Sequence, residues 1–325
     1  MSNNQELLTA IIVYLAVFTI IGLLLMAWTF RKESVERATR NFERALGLGV
    51  PDELRFHVGA RRMRRRRFEL GGTILAVIGT AALVWFADPA EAVGGSGGAF
   101  LVVGAALGGG AVGSLIGALQ WPAQRDPEAI RYARAGAVGL PDYIPPFERR
   151  GAPIIVGLAI LLLGITAITD TTGITSISLS PTASAGSVLT IASVLALGFS
   201  EIVGRRIVGR AQPIGSEREL VWDDALRSQD LLGLASAPMV LGFFAVMILG
   251  TDLSSVFLRT IDPVNMFTID QIGGVLAIVA VTALAGYWIA SRPERYFLRR
   301  LWPQYTDLSA RLIVGPVADT TGPES

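Results

Sequence analysis

Residues 99–121 read AFLVVGAALGGGAVGSLIGALQW, a run of 23 positions without a charge. As a helix it would reach about 34 Å at 1.5 Å per residue. That is enough to cross a hydrocarbon core roughly 30 Å thick. A soluble helix of this length would carry a polar face, and this run has none. Six further apolar stretches flank it, at about 7–30, 70–87, 152–169, 184–204, 231–250 and 272–291. Composition agrees: charged residues are 17% of the 325 and hydrophobic ones 51%, whereas soluble proteins carry about 25% charge. The expected fold class is an all-α integral membrane protein with about seven transmembrane helices.

The basic residues orient these helices. Segment 31–69 holds 12 Arg/Lys, and segments 122–151, 205–230 and 292–325 hold five each. Arg259 is the one basic residue elsewhere. Cytoplasmic loops accumulate Arg and Lys, so the sequence predicts N-out, C-in. The residues ahead of the first stretch carry no cation, and Arg31-Lys32 follow it; a cleavable signal has the opposite pattern. The layout is a first transmembrane helix in 1–30 and a basic cytoplasmic segment in 31–69. A hairpin in 70–121, a cytoplasmic helix in 122–151 and a second hairpin in 152–204 follow. A cytoplasmic helix in 205–230, a third hairpin in 231–291 and an interfacial tail in 292–325 complete it.

The cytoplasmic segments contain a degenerate repeat of about 90 residues. Arg44-Ala45-Leu46-Gly47-Leu48-Gly49-Val50-Pro51-Asp52-Glu53-Leu54 returns as Arg134-Ala135-Gly136-Ala137-Val138-Gly139-Leu140-Pro141-Asp142-Tyr143-Ile144. Asp224-Ala225-Leu226 opens a third copy without the Gly-x-Pro-Asp turn. Each unit reads as a span, a short amphipathic cytoplasmic helix and a second span. Val35, Ala38, Phe42, Ala45 and Leu46 share one helical face. Asp126-Pro127-Glu128 and Ser216-Glu217-Arg218-Glu219 carry helix-start chemistry. The Gly-x-Pro-Asp turn is expected to stop the preceding helix, with glycine at its C-terminal cap.

Few residues offer chemistry. Cysteine is absent and His57 is the single histidine, which excludes disulfides, thiolate sites and histidine-rich metal sites. No phosphate loop, dinucleotide fingerprint or metal motif is present, so no catalytic residue, cofactor or metal is expected. Gly94-Gly95-Ser96-Gly97 is like the serine string of intramembrane proteases, but His57, the only base of the right kind, lies on the opposite side. Gly104 and Gly108 form one small-residue row and Gly109, Gly113 and Gly117 another. Such rows let helices approach closely in lipid, within the bundle or across a homo-oligomer.

Arg61, Arg62, Arg64, Arg65, Arg66 and Arg67 precede the second span and are expected to contact anionic headgroups. The run lacks the interleaved aromatics of nucleic-acid binders, so nucleic acid is not an expected partner. Glu201 and Arg205 form a possible intramembrane polar site, paired at i, i+4. Asp223, Asp224 and Asp230 are expected to face solvent or pair with Arg227. The stretch 292–304, with Tyr296, Phe297, Leu301 and Trp302 among arginines, reads as a helix lying at the lipid interface.

The function read from these features is a non-enzymatic accessory or scaffold subunit of a membrane complex. Its partners would be the bilayer and another protein or a second copy. The predominance of Arg, Ala and Gly fits a GC-rich bacterial genome, and hence the bacterial cytoplasmic membrane. The alternatives are a transporter or permease subunit for a lipid or hydrophobic solute, and a membrane enzyme acting on lipid phosphates through Asp223 and Asp224.

The cysteine-free chain makes the orientation directly testable. A single Glu36→Cys variant should react with an impermeant maleimide only after cells are opened, and Asp262→Cys should react in intact cells. Labelling of Glu36→Cys from outside would invert the orientation.

Overall fold

The computed structural model describes residues 19–20, 22–86, 96–119, 138–171, 181–210, 217–261 and 295–305. Among these residues the chain is all-helical. Residues 22–28 are helical. They are followed by α1 (Lys32–Leu46), α2 (Asp52–Phe86), α3 (Ser96–Leu119), α4 (Leu140–Tyr143), α5 (Pro146–Thr171), α6 (Pro181–Val208), α7 (Glu217–Ile261) and α8 (Tyr296–Leu301). Three stretches are long and apolar enough to cross a bilayer: Pro146–Thr169, Ala185–Val208 and Glu217–Ser254. A shorter apolar stretch, Val103–Ser114, lies in α3. Helices of this length and apolarity mark a membrane protein. The span expected at 272–291, and most of the one at 7–30, lie outside the described residues.

The sequence reading divides cytoplasmic segment from span at residues 69/70 and 230/231, but α2 and α7 each run through that division. α2 is 35 residues long and α7 is 45, about 52 and 68 Å. Neither has a strong break where the division was expected. Arginine is a good helix former, so the Arg61–Arg67 run carries the helix straight into the apolar part of α2. In α7 the missing Gly-x-Pro-Asp turn leaves nothing to interrupt it at residue 230.

The turn itself acts differently from expectation. The helix stop in the first copy is Gly47, with φ 72° at the α1 C-cap, where its N–H donates to the Glu43 carbonyl at 2.7 Å. Gly49 and Gly139 do not take that conformation. Instead Pro-Asp opens the next helix. Asp52 is the first residue of α2. In the second copy Gly139 is the N-cap of α4, Pro141 lies in the first turn, and Asp142 Oδ2 accepts from the Gly139 N–H at 2.9 Å. A proline lacks only a donor that the first turn leaves unpaired anyway, and an aspartate there accepts from an orphan N–H. The Glu43 carboxylate ties the first turn down by accepting from Val50 N–H and Arg55, both at 3.0 Å.

α7 is the central helix. Two-thirds (67%) of its most apolar stretch is buried, against 17% for α5 and 33% for α6. It packs on α3, α5 and α6, and α3 packs in turn on α2. The outer sides of α5 and α6 expose Ile154, Leu161, Ile168, Val188, Ile191 and Leu195, as lipid-facing helices do.

Glycines set the closest approaches. Gly104 faces Phe244 of α7, and Gly108 faces Leu241. Gly109, Gly113 and Gly117 face α2 instead. A methyl group on Gly72 would collide with the Gly109 carbonyl, and one on Gly113 with the Phe68 carbonyl. The two rows, a fraction of a turn apart on α3, thus serve two partners within one chain.

Gly113→Ala should therefore destabilise the bundle by about 1–3 kcal/mol, the range for overpacking a fitted contact. Gly157→Ala, where an added Cβ meets no atom within 4 Å, should be neutral or mildly stabilising. Denaturation in detergent micelles compares the two, and equal losses would remove the close crossing from the account of the fold.

Candidate functional site

The richest polar chemistry lies at the basic end of the bundle, where α1, α4, α8 and the start of α7 meet α2 and the end of α6. Phe42, Leu46, Val58, Tyr143, Ile207, Trp222, Phe297 and Trp302 form its apolar core. Phe42 and Trp222 meet edge to face at 5.7 Å. Part of the tail docks here: Phe297 and Leu298 of α8 and Trp302 are buried against protein. Arg295 reaches the Ala45 and Arg44 carbonyls at the end of α1, at 2.5 and 3.2 Å. These are carbonyls that a helix end leaves unpaired. Tyr305 donates to Glu217 at 3.4 Å. Burial, and then the Glu217 charge, raise its phenol pKa above the ordinary value.

α7 projects three charged side chains into this region. Asp224 is fully buried; its Oδ1 accepts from Tyr143 Oη at 2.7 Å and its Oδ2 from Trp302 Nε1 at 2.9 Å. Arg227 pairs with Asp223 at 2.8 Å and donates to the carbonyls of Ile207, Val208 and Arg210 at the end of α6. Asp230 receives Arg61 at 2.5 Å and Arg65 at 3.7 Å. The Arg65 guanidinium lies against Gly233, where a side chain would displace it, and also donates to the Gln229 carbonyl at 2.6 Å. The Asp223–Arg227 pair matches the sequence reading. The placement of Asp224 and Asp230 corrects it, since both are buried rather than solvated.

The arginine cluster is divided in the same way. Arg61 and Arg65 are turned into the protein, with side chains only 11% and 18% exposed. Arg62 stacks on Phe42 at 4.1 Å, and Arg67 stacks on Phe30 at 3.9 Å while donating to the Thr29 carbonyl. Arg64 and Arg66 remain exposed.

A second constellation lies between α4, α5, α6 and α7. A cleft of about 530 Å³ has Glu148, Arg149, Ser200, Glu201 and Arg205 among its lining residues. Glu201 and Arg205 pair across one turn at 2.8 Å, and both are exposed. Glu148, in the first turn of α5, is fully buried, and neither carboxylate oxygen has a hydrogen-bond partner. A helix N-terminus favours an anion by about 1 kcal/mol. Burying an unpaired charge costs several. The helix end therefore does not compensate this carboxylate, and a positive group or a proton is required.

Glu148 was not legible as a site. In Pro145-Pro146-Phe147-Glu148 it reads as a first-turn acid at a helix start, and only tertiary packing encloses it. Tyr143 and Trp302 were likewise invisible as partners of Asp224, lying 81 and 78 residues from it. No group of three or more potential metal ligands occurs among the described residues. No protein-family model, curated protein or solved structure matches the chain.

Asp230→Ala should cost about 3–5 kcal/mol, because it leaves two guanidinium groups without their buried partner. Tyr143→Phe should cost about 1–3 kcal/mol by leaving an Asp224 oxygen short of a donor. If the Asp230 ion pairs are purely structural, Arg61→Leu/Arg65→Leu/Asp230→Leu should regain much of the lost stability in urea titrations. A triple variant weaker than Asp230→Ala would contradict this.

Proposed function

We propose that the chain is a non-enzymatic, multi-pass accessory or scaffold subunit of a complex in a bacterial cytoplasmic membrane. In this reading seven spans run N-out, C-in. The 90-residue units place their short amphipathic helices on the cytoplasmic face, and the partner is another protein or a second copy. The observation that carries it is the cross-braced basic end. There α1, α2, α4, α7 and α8 share one core, and buried Asp224, Arg227 and Asp230 each fasten a different neighbour. Such bracing gives a platform of fixed shape outside the hydrocarbon. The outer face of α1 presents Glu33, Glu36, Arg37, Arg40 and Arg44 to solvent, a charged ledge suited to a polar partner. Arg64 and Arg66 are left for anionic headgroups, while the other four arginines of the cluster brace the protein.

The cleft beside Glu148 favours a second reading, a transporter or permease subunit for a lipid or hydrophobic solute. A lipid-phosphate enzyme draws no such support. Asp224 is enclosed between Tyr143 and Trp302, and Asp223 is engaged by Arg227.

A photo-crosslinking residue placed at Glu36 or Arg40 in cells should give a discrete adduct with another chain or a second copy. The same residue at Ile191, on the lipid-facing side, should give none. Absence of an α1 adduct, together with migration of the solubilised protein as a lone chain, would reject the scaffold reading.

A further inference from the structure

We propose that the cleft between α4, α5, α6 and α7 binds an amphiphilic primary amine, its ammonium group paired with Glu148 and its chain against Ile144, Leu197, Leu231 and Leu234. This assignment stands apart from the scaffold reading and does not rest on it.

Charge decides the sign of the ligand. The cleft has two carboxylates and two guanidinium groups among its lining residues. Glu201 and Arg205 neutralise each other at 2.8 Å. Arg149 adjoins Glu148 in sequence but turns to solvent, and no ion pair joins them. Glu148 is thus the cleft's uncommitted carboxylate, which an ammonium group can pair with in place of a proton, whereas an anionic ligand would bring negative charge beside it.

Chemistry then narrows the cation. Divalent metal ions need several hard oxygen ligands, and with Glu201 engaged Glu148 is the one carboxylate left to supply them. Quaternary ammonium groups are held by aromatic cages, and no aromatic side chain is among the described residues that line the cleft. A primary ammonium carries three N–H donors, which suit the two bare oxygens of Glu148. Apart from Ser200 the remaining side chains of the wall are aliphatic, Ile144, Leu197, Leu231 and Leu234 among them, the surface an alkyl chain would occupy. A soluble alkylamine and an aminophospholipid headgroup share this chemistry.

The full-length protein in phosphatidylcholine nanodiscs should bind hexylammonium saturably at one site per chain. Hexanol and hexyltrimethylammonium should bind at least tenfold more weakly, and Glu148→Gln should weaken hexylammonium at least tenfold. Glu148→Gln should keep or raise the melting temperature, because it removes a buried charge. Leu197→Trp, which fills the cleft and leaves the carboxylate in place, should also abolish binding. Nanodiscs that include phosphatidylethanolamine should raise the apparent Kd for hexylammonium if the natural ligand is a lipid headgroup. An unchanged Kd would assign the site to soluble amines. Equal binding of hexanol and hexylammonium, binding untouched by both variants, or no saturable binding would overturn the proposal.

Discussion

Asp224, Arg227 and Asp230 follow one another at three-residue intervals along α7, so they point in directions about 60° apart around the helix. Each reaches a different part of the chain. Asp224 holds Tyr143 of α4 and Trp302 beyond α8, Arg227 covers the carbonyl end of α6, and Asp230 gathers Arg61 and Arg65 of α2. Most of the basic end hangs on this one stretch of helix. In lipid the hydrophobic effect does little to choose among apolar neighbours, so directional polar contacts at the basic end help to fix which helix stands next to which.

The arginines serve two physical ends at once. As charges they are the residues on which the proposed orientation rests. As planar donors they satisfy the backbone carbonyls that helix ends leave bare. Arg295 does this for α1 and Arg227 for α6. Chain segments far apart are joined by this chemistry, and it explains how α8 is held on the protein rather than lying free at the interface. A lysine could supply the charge but not the flat, many-donor fork.

Inside the apolar layer shape takes over from charge. Glycine rows on α3 admit α2 on one side and Phe244 and Leu241 of α7 on the other, and dispersion contacts accumulate where backbones nearly touch. In the wall of the cleft Glu148 is fully buried with neither carboxylate oxygen hydrogen-bonded. Against a basic end in which the buried carboxylates of Asp224 and Asp230 are met by donors, that exception is the feature that points beyond structure to a ligand.

The apolar runs settled the membrane class and the helical content, because bilayer thickness and backbone hydrogen bonding leave a long uncharged run almost no other form. The Glu201–Arg205 and Asp223–Arg227 pairs were also legible, since i, i+4 spacing makes neighbours without any tertiary contact. The sequence did not show that Pro-Asp begins a helix rather than ending one, or that the tail docks on protein. Nor did it show that Arg61 and Arg65 turn inward, or that Glu148 is buried in the wall of a cleft. Those features depend on which surfaces of distant helices meet, and that was decided only when α7 took the centre of the bundle and brought residues far apart in the chain within hydrogen-bond reach.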